Sequence, residues 1–252
     1  MLSKERITEE LHSLGILPPK IVFYEETDST NTRAKKYAES TSAKETVVFI
    51  ANSQTAGRGR MGRSFVSERG AGIYISILSY PREGGFDATR VTAEWAVKLC
   101  HAIESVCDCK IDVKWVNDLY LGGKKLAGIL TEGKMENEGK FAYQIVGMGI
   151  NVYKNAISTE ISTIATSLEA ELNSTPDRSV LTARIIKEML TDDDCFEEYK
   201  SRSLVIGRRV QVVKLTESYE ARVIDINPDY SLLLDVQGKK ERLLTGEVSI
   251  RL

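Results

Sequence analysis

Two apolar runs of strand length, TVVFIAN at 46–52 and GIYISILSY at 72–80, enclose a polar loop that carries TAGRGRMGRS at 55–64. Gly57, Gly59 and Gly62 fit the dinucleotide fingerprint G-x-G-x-x-G. Gly57 to Ser64 fit the P-loop except for Arg63 at the lysine position. Both templates work by aiming the N-terminus of a helix at phosphate. Here a strand follows the loop. The acidic residue that the fingerprint places about 20 positions on is missing, because Asp87 lies further along and opens a helix. Both nucleotide-binding readings are rejected. Strands and helices also lack strict alternation, which favours an α+β fold, a mixed sheet flanked by helices, over a doubly wound one.

The rest of the chain fills in that outline. Ile7, Leu11 and Leu14 at helical spacing, then Gly15, predict a short first helix. IVFYEE (21–26) reads as a strand, and TDST offers N-caps for a helix to about Ser40. A long helix is expected from Asp87 to about Val106, with Val91, Trp95, Leu99, Ile103 and Val106 on one apolar face and Cys100 beside them. IDVKWV (111–116) is a strand, and NDLYLGGKKLAGILTEG a hairpin turning at Gly122-Gly123. FAYQIVGMGINV (141–152) is a strand whose glycines allow close backbone approach. Helices are expected over 161–171 and 178–199. After Ser203 short strands alternate with turn residues, which suggests a small β-barrel. The expected division is therefore 1–203 and 204–252.

The 34 Lys and Arg nearly balance 36 Asp and Glu, for a net charge of −2. Bulk charge gives no reason to expect DNA or an anionic membrane as partner, so any basic site is local. MLSKERITEE has no apolar signal-peptide core, and no apolar run approaches the ~20 residues of a bilayer span. A cytoplasmic protein is the expectation. Cys100, Cys107, Cys109 and Cys195 show no metal-ligand spacing and are expected as small buried hydrophobes, with no zinc and no haem.

Three patches carry chemistry. In the loop, Arg58, Arg60 and Arg63 offer planar guanidinium forks suited to carboxylate and phosphate. Glycines keep the loop mobile, and their alternation sends Arg58 and Arg60 in separate directions. Such a loop either closes over an anion from several sides or is a solvated basic surface. In KWVNDLYLGGKKLAGIL (114–130) the hairpin arms lie about 5 Å apart, so Asp118 can share a site with Lys124 or Lys125. That pair can hold a divalent ion against phosphate and neutralise a leaving group, or it is turn residues and solubilising lysines. In DSTN (28–31), Ser29, Thr30 and Asn31 either line a pocket or cap a helix.

Taken in order, DSTN, SQTAGRGRMGR, KWVND, KKLAGIL, GMGINV and IATSL (164–168) resemble the biotin–protein ligase family, and LLTGEVSIRL resembles the end of its SH3-like domain. The resemblance covers nearly the whole chain. It implies a class II synthetase-like catalytic domain over 1–203 and a small SH3-like β-barrel over 204–252. It also implies a ligase that uses ATP and Mg to turn biotin into biotinyl-5′-AMP, then passes biotin to one lysine of a biotin carboxyl carrier domain. By position, Ser29, Thr30, Asn31, Gln54, Gly57, Arg58, Gly59, Arg60, Lys125 and Gly128 match the biotin side. Arg60, Arg63, Asn117, Asp118, Lys125 and Asn151 match the nucleotide side. The resemblance implies the catalytic role for Lys125, Arg60 and Arg63, and a Mg contact for Asp118. The sequence departs from the family at Val116, Met61 and Phe65, where proline, arginine and tryptophan are common. Only one short helix precedes the DSTN segment, which resembles the form without a DNA-binding domain. The resemblance also allows a homodimer.

Overall fold

The computed structural model describes residues 2–80, 87–135, 141–188, 190–191, 194–214, 217–244 and 246–250. Strand β1 (Lys20–Tyr24) pairs in parallel with β2 (Val47–Ala51) across helix α2 (Thr30–Ser40). From β2 onward the pairing is antiparallel. It passes through β3 (Gly72–Ser79), β7 (Phe141–Asn151), β6 (Lys124–Met135), β5 (Asp118–Leu121) and β4 (Asp112–Lys114). The resulting seven-stranded sheet has the order β1-β2-β3-β7-β6-β5-β4.

Both faces of this sheet are covered, which accounts for the uninterrupted apolar runs. Side chains alternate along a strand. Val48 and Ile50 of β2 pack in the cluster that holds the core residues of α1 (Lys4–Ser13), α3 (Ala88–Glu104) and α5 (Arg178–Glu188). Val47 and Phe49 pack in a second cluster with Ala34 of α2 and Ile145 of β7. Asp87 caps α3, its Oδ1 accepting from the Thr89 and Arg90 N–H groups. Trp95, Leu99, Cys100 and Ile103 are buried as expected, with Val91 and Val106 at the margin. The Gly122-Gly123 turn joins β5 to β6, and both glycines have positive φ.

Three expectations need correction. Residues 161–171 hold only the end of a 3-10 turn (Thr159–Ile161) and a four-residue helix α4 (Leu168–Glu171). Between them the chain turns over 162–164 and then bonds to β6: Lys125 N–H donates to Ile164 O, and Thr166 N–H to Lys125 O. That pairing takes the backbone groups a helix would have used. The expected helix 178–199 ends at Glu188 and restarts as α6 (Phe196–Ser201), where Asp194 Oδ1 accepts from the Phe196 N–H. Short polar side chains that bond their own backbone favour such breaks. Third, β4 stops at Lys114, short of Val116. Positions 189 and 192–193 of the expected helix, and 245 and 251–252 of the terminal motif, lie outside the described residues.

The second sheet has the order β11-β10-β9-β8-β12 and is antiparallel throughout its pairs. Its strands are β8 (Arg209–Val213), β9 (Ser218–Ile226), β10 (Leu232–Val236), β11 (Lys239–Leu243) and β12 (Glu247–Ile250). This is the small C-terminal β-unit expected, and its core residues are continuous with those of the large sheet. Trp115 Nε1–H donates to Tyr230 O at 2.7 Å, and Tyr199 O–H to Val116 O at 3.2 Å. These two buried bonds hold the turn before Asn117 against α6 and the second sheet.

Candidate active site

The floor of the main cavity is the face of β6 and β7 where Gly128 pairs with Gly149 and Leu130 with Gly147. The two β7 glycines make room for side chains. A Cβ on Gly147 would overlap the Asn31 carboxamide, and one on Gly149 would lie 2.5 Å from the Phe65 ring. The first turn of α2 and the arginine loop can therefore lie flat on the sheet. The space between them is an open cleft lined by both polar and apolar side chains.

One end of this cavity is built of neutral hydrogen-bonding groups. Gln54 Oε1 accepts from both the backbone N–H and the hydroxyl of Thr30, at 2.8 and 3.1 Å. Gln54 Nε2 donates to Ser67 Oγ at 2.9 Å. Ser76 Oγ, on β3, lies 2.5 Å from Asn31 Oδ1 and 2.7 Å from Thr30 Oγ1. Asn31 Nδ2 donates to Glu132 Oε2 at 2.7 Å. Ser29 is the N-cap residue of α2, yet its side chain makes no capping bond. Its hydroxyl lines the cavity. Capping alone does not account for DSTN.

The other end is cationic. Arg60 Nη1 donates to Asn117 Oδ1 at 3.0 Å, and Nη2 to Gly246 O at 3.1 Å. Both acceptors are neutral, and no described carboxylate pairs with Arg60. Asn117 Nδ2 donates to Asp118 Oδ1 at 3.0 Å, and Lys125 Nζ pairs with the same oxygen at 2.7 Å. Lys125 is the hairpin lysine that reaches Asp118; Lys124 Nζ instead donates to Ser162 O. Past Arg60, Asn117 and Lys125 a second recess opens, lined also by Arg63, Lys114, Trp115, Asp118 and Val248.

The loop itself is a tight hairpin. Phe65 N–H donates to Gly57 O at 2.9 Å, and Gly59 N–H to Arg63 O at 2.7 Å. At its tip Met61 and Gly62 have φ of 53° and 76°. Glycine is thus not used uniformly for mobility. Gly62 takes the left-handed turn position, whereas Gly57 faces Phe65 O, Ser67 Oγ and Gln54 Nε2 with no space for a Cβ. Arg58 and Arg60 do point apart: Arg58 Nη2 reaches Glu132 Oε2 at 2.8 Å while Arg60 reaches Asn117.

Of the residues singled out from the sequence, Ser29, Thr30, Asn31, Gln54, Arg58, Gly59, Arg60, Asn117, Lys125 and Gly128 line the main cavity. Arg63 and Asp118 line the second recess. Gly57 lies behind the loop, among the residues of a separate depression. Asn151, the last residue of β7, donates to Thr166 O and lines neither recess. Sequence reasoning missed Glu132, Ser76, Ser67 and Gly246. The signal for Glu132 was available: Gly128, Leu130 and Glu132 alternate on one face of a strand. The third is a charge on the face that carries the other two.

A model of the Biotin/lipoate A/B protein ligase family matches residues 23–151. The biotin–acetyl-CoA-carboxylase ligase of Mycobacterium tuberculosis is 30% identical, across 88% of this chain and 86% of that protein. The bifunctional ligase/repressor BirA of Bacillus subtilis is 28% identical, across 93% of this chain and 75% of its own length. The biotin protein ligase of Aquifex aeolicus in complex with biotin and ATP superposes with a TM-score of 0.74 at 25% identity, covering 92% of this chain and 98% of that one.

Proposed function

Since the chain belongs to the Biotin/lipoate A/B protein ligase family, we propose that it is a biotin–protein ligase that forms biotinyl-5′-AMP and then biotinylates a carrier lysine. The observation that carries this reading is the position of Arg60. It stands where the two recesses meet, held among the described residues only by neutral oxygens. A carboxylate from one recess and a phosphate from the other can both exchange for those oxygens.

In the first step the bicyclic head of biotin lies between Ser29, Thr30, Asn31 and Gln54, with Arg58 alongside and its carboxylate at Arg60 and Lys125. A carboxylate oxygen attacks the α-phosphorus of ATP in the second recess. An O–P bond forms, the α–β bridge breaks, and pyrophosphate leaves past Arg63. Two anions must approach, and preorganised cations stabilise the charge that develops. Lys125 leans from Asp118 toward that oxygen. In the second step the amine of the carrier lysine attacks the acyl carbon, AMP leaves, and the amine proton is released. The hairpin loop shields the mixed anhydride from water between the steps.

The residues fit one Mg²⁺ held jointly with substrate. Both described contacts to Asp118 fall on Oδ1, and the residue lines the second recess, where its carboxylate could share a metal ion with phosphate. Magnesium is commonly held by one or two carboxylates plus substrate phosphates, and it would neutralise phosphate charge there. Residues 1–203 form the catalytic unit in this reading. Residues 204–252 close its nucleotide end through Gly246 and Val248. The carrier is a biotin carboxyl carrier domain, and the reaction belongs to the cytoplasm.

The test is labelling of a purified carrier domain with biotin and Mg-ATP. Arg60→Ala and Lys125→Ala are each expected to lower the rate at least 100-fold, the scale of losing one oxyanion-stabilising donor. Because the family also handles lipoate, titration calorimetry separates the ligands: biotin binds, and tight lipoate binding without biotin binding would reverse the assignment.

A further inference from the structure

Of the three cations that line the main cavity, two have a carboxylate partner and the third, among the described residues, does not. Lys125 is matched by Asp118 at 2.7 Å, and Arg58 by Glu132 at 2.8 Å. Arg60 meets only the oxygens of Asn117 and Gly246. Among the described residues the cavity therefore has one positive charge without a carboxylate partner, at the nucleotide end. Glu132 removes the charge at the opposite end, and it does so from within a built network: the oxygen that takes Arg58 also accepts from buried Asn31. Glu132 also borders a separate depression with Lys35, Glu39, Lys134 and Tyr143, where Lys134 pairs with Glu39 at 3.6 Å.

We infer that Glu132 is a specificity-determining residue, which cancels the charge of Arg58 so that the cavity accepts one carboxylate at Arg60 and an uncharged hydrogen-bonding head at the far end. This rests on the reading of the cavity as a biotin site. Without the Glu132 carboxylate, Arg58 becomes a second guanidinium without a described counter-charge at the rim of the cavity, its side chain 44% exposed and its planar fork open to a carboxylate. The two ends sit against Ile129 and Glu132 of β6, three residues apart, a separation of about 10 Å at the strand rise. A straight-chain dicarboxylate such as nonanedioate spans that length. In the wild type its second carboxylate would face the Arg58–Glu132 pair, which has no net charge to offer. A biotin-like ligand, with one carboxylate and a neutral head, meets complementary groups at both ends.

Glu132→Gln keeps the shape and an oxygen for Asn31 while removing the charge, and Glu132→Asp keeps the charge. Biotin and nonanedioate affinities are measured by competition calorimetry on the full chain, with thermal melting to confirm that each variant is folded. The ratio of biotin to nonanedioate affinity is expected to fall at least tenfold in Glu132→Gln and to stay within threefold of wild type in Glu132→Asp. A ratio unchanged in Glu132→Gln, including one in which nonanedioate still does not bind, would overturn the inference. So would an equal fall in both variants, which would make Glu132 a geometric support only. If the wild type itself binds no biotin, the proposed function fails first, and the two failures are told apart.

Discussion

Gly147 and Gly149 sit two residues apart on β7 and protect different things. The Asn31 carboxamide against Gly147 is buried and bonded on both sides, to Ser76 and to Glu132 and Leu130. It has nowhere to go, so Gly147→Ala is expected to cost roughly 2–3 kcal/mol through overpacking and lost hydrogen bonds, read from urea unfolding. The Phe65 ring against Gly149 belongs to the loop and lines the cavity. Gly149→Ala is expected to raise the KM for biotin several-fold with stability changed by less than about 1 kcal/mol, the usual range for a tolerated site. Equal effects of the two substitutions on stability would contradict this division. Much of this site was legible as residue types: arginine forks, an Asp–Lys pair across a hairpin, a polar cluster at a helix start. The partners that complete it were not legible. Ser76 and Glu132 lie 45 and 101 positions from Asn31, and only sheet register brings them together.

At the scale of elements, Arg202 at the end of α6 ties the helices to the sheet. Its guanidinium reaches Glu104 of α3 at 2.6 Å and Glu198 at 2.7 Å, and its side chain is only 11% exposed. It also donates to Ile111 O. Burial alone would raise the carboxyls of Glu104 and Glu198, but hydrogen bonds from Arg202, with Ile111 N–H and His101 respectively, hold both below the usual glutamate value. Carboxyls depressed in the folded state stabilise it above the unfolded value of about 4.3 and lose that contribution as pH falls through the folded values. Arg202→Met is expected to cost about 2 kcal/mol at neutral pH, by stranding two partly buried carboxylates. It should also flatten the loss of stability between pH 5 and pH 3. A wild-type acid limb retained unchanged in the variant would show that these carboxylates do not set it. Element prediction failed at 161–171 because the deciding contacts are long-range. Helical periodicity is a local signal, whereas Lys125 pairs with Ile164 and Thr166 across the fold.

For the molecule as a whole, the two sheets share one core and meet at the site. Apolar residues of α3, β6 and α5 join those of β8, β9 and β10 in a single buried cluster. Polar ties cross at Trp115–Tyr230, Lys200–Asp225 and Arg60–Gly246. Cooperative units follow shared packing, so calorimetric unfolding is expected to give one transition for the full chain. Two resolved transitions would mean that the small sheet folds on its own. In the proposed reaction the C-terminal unit takes part in the chemistry, since the carbonyl of Gly246 is one of the two described oxygens that Arg60 would release to take up an anion. The most direct measurement of that exchange is pyrophosphate release on mixing the purified protein with biotin and Mg-ATP in the absence of carrier. The account expects a rapid single turnover that stalls with adenylate bound, and that Arg60→Ala abolishes. No pyrophosphate at saturating biotin and ATP, or an undiminished burst in Arg60→Ala, would contradict it.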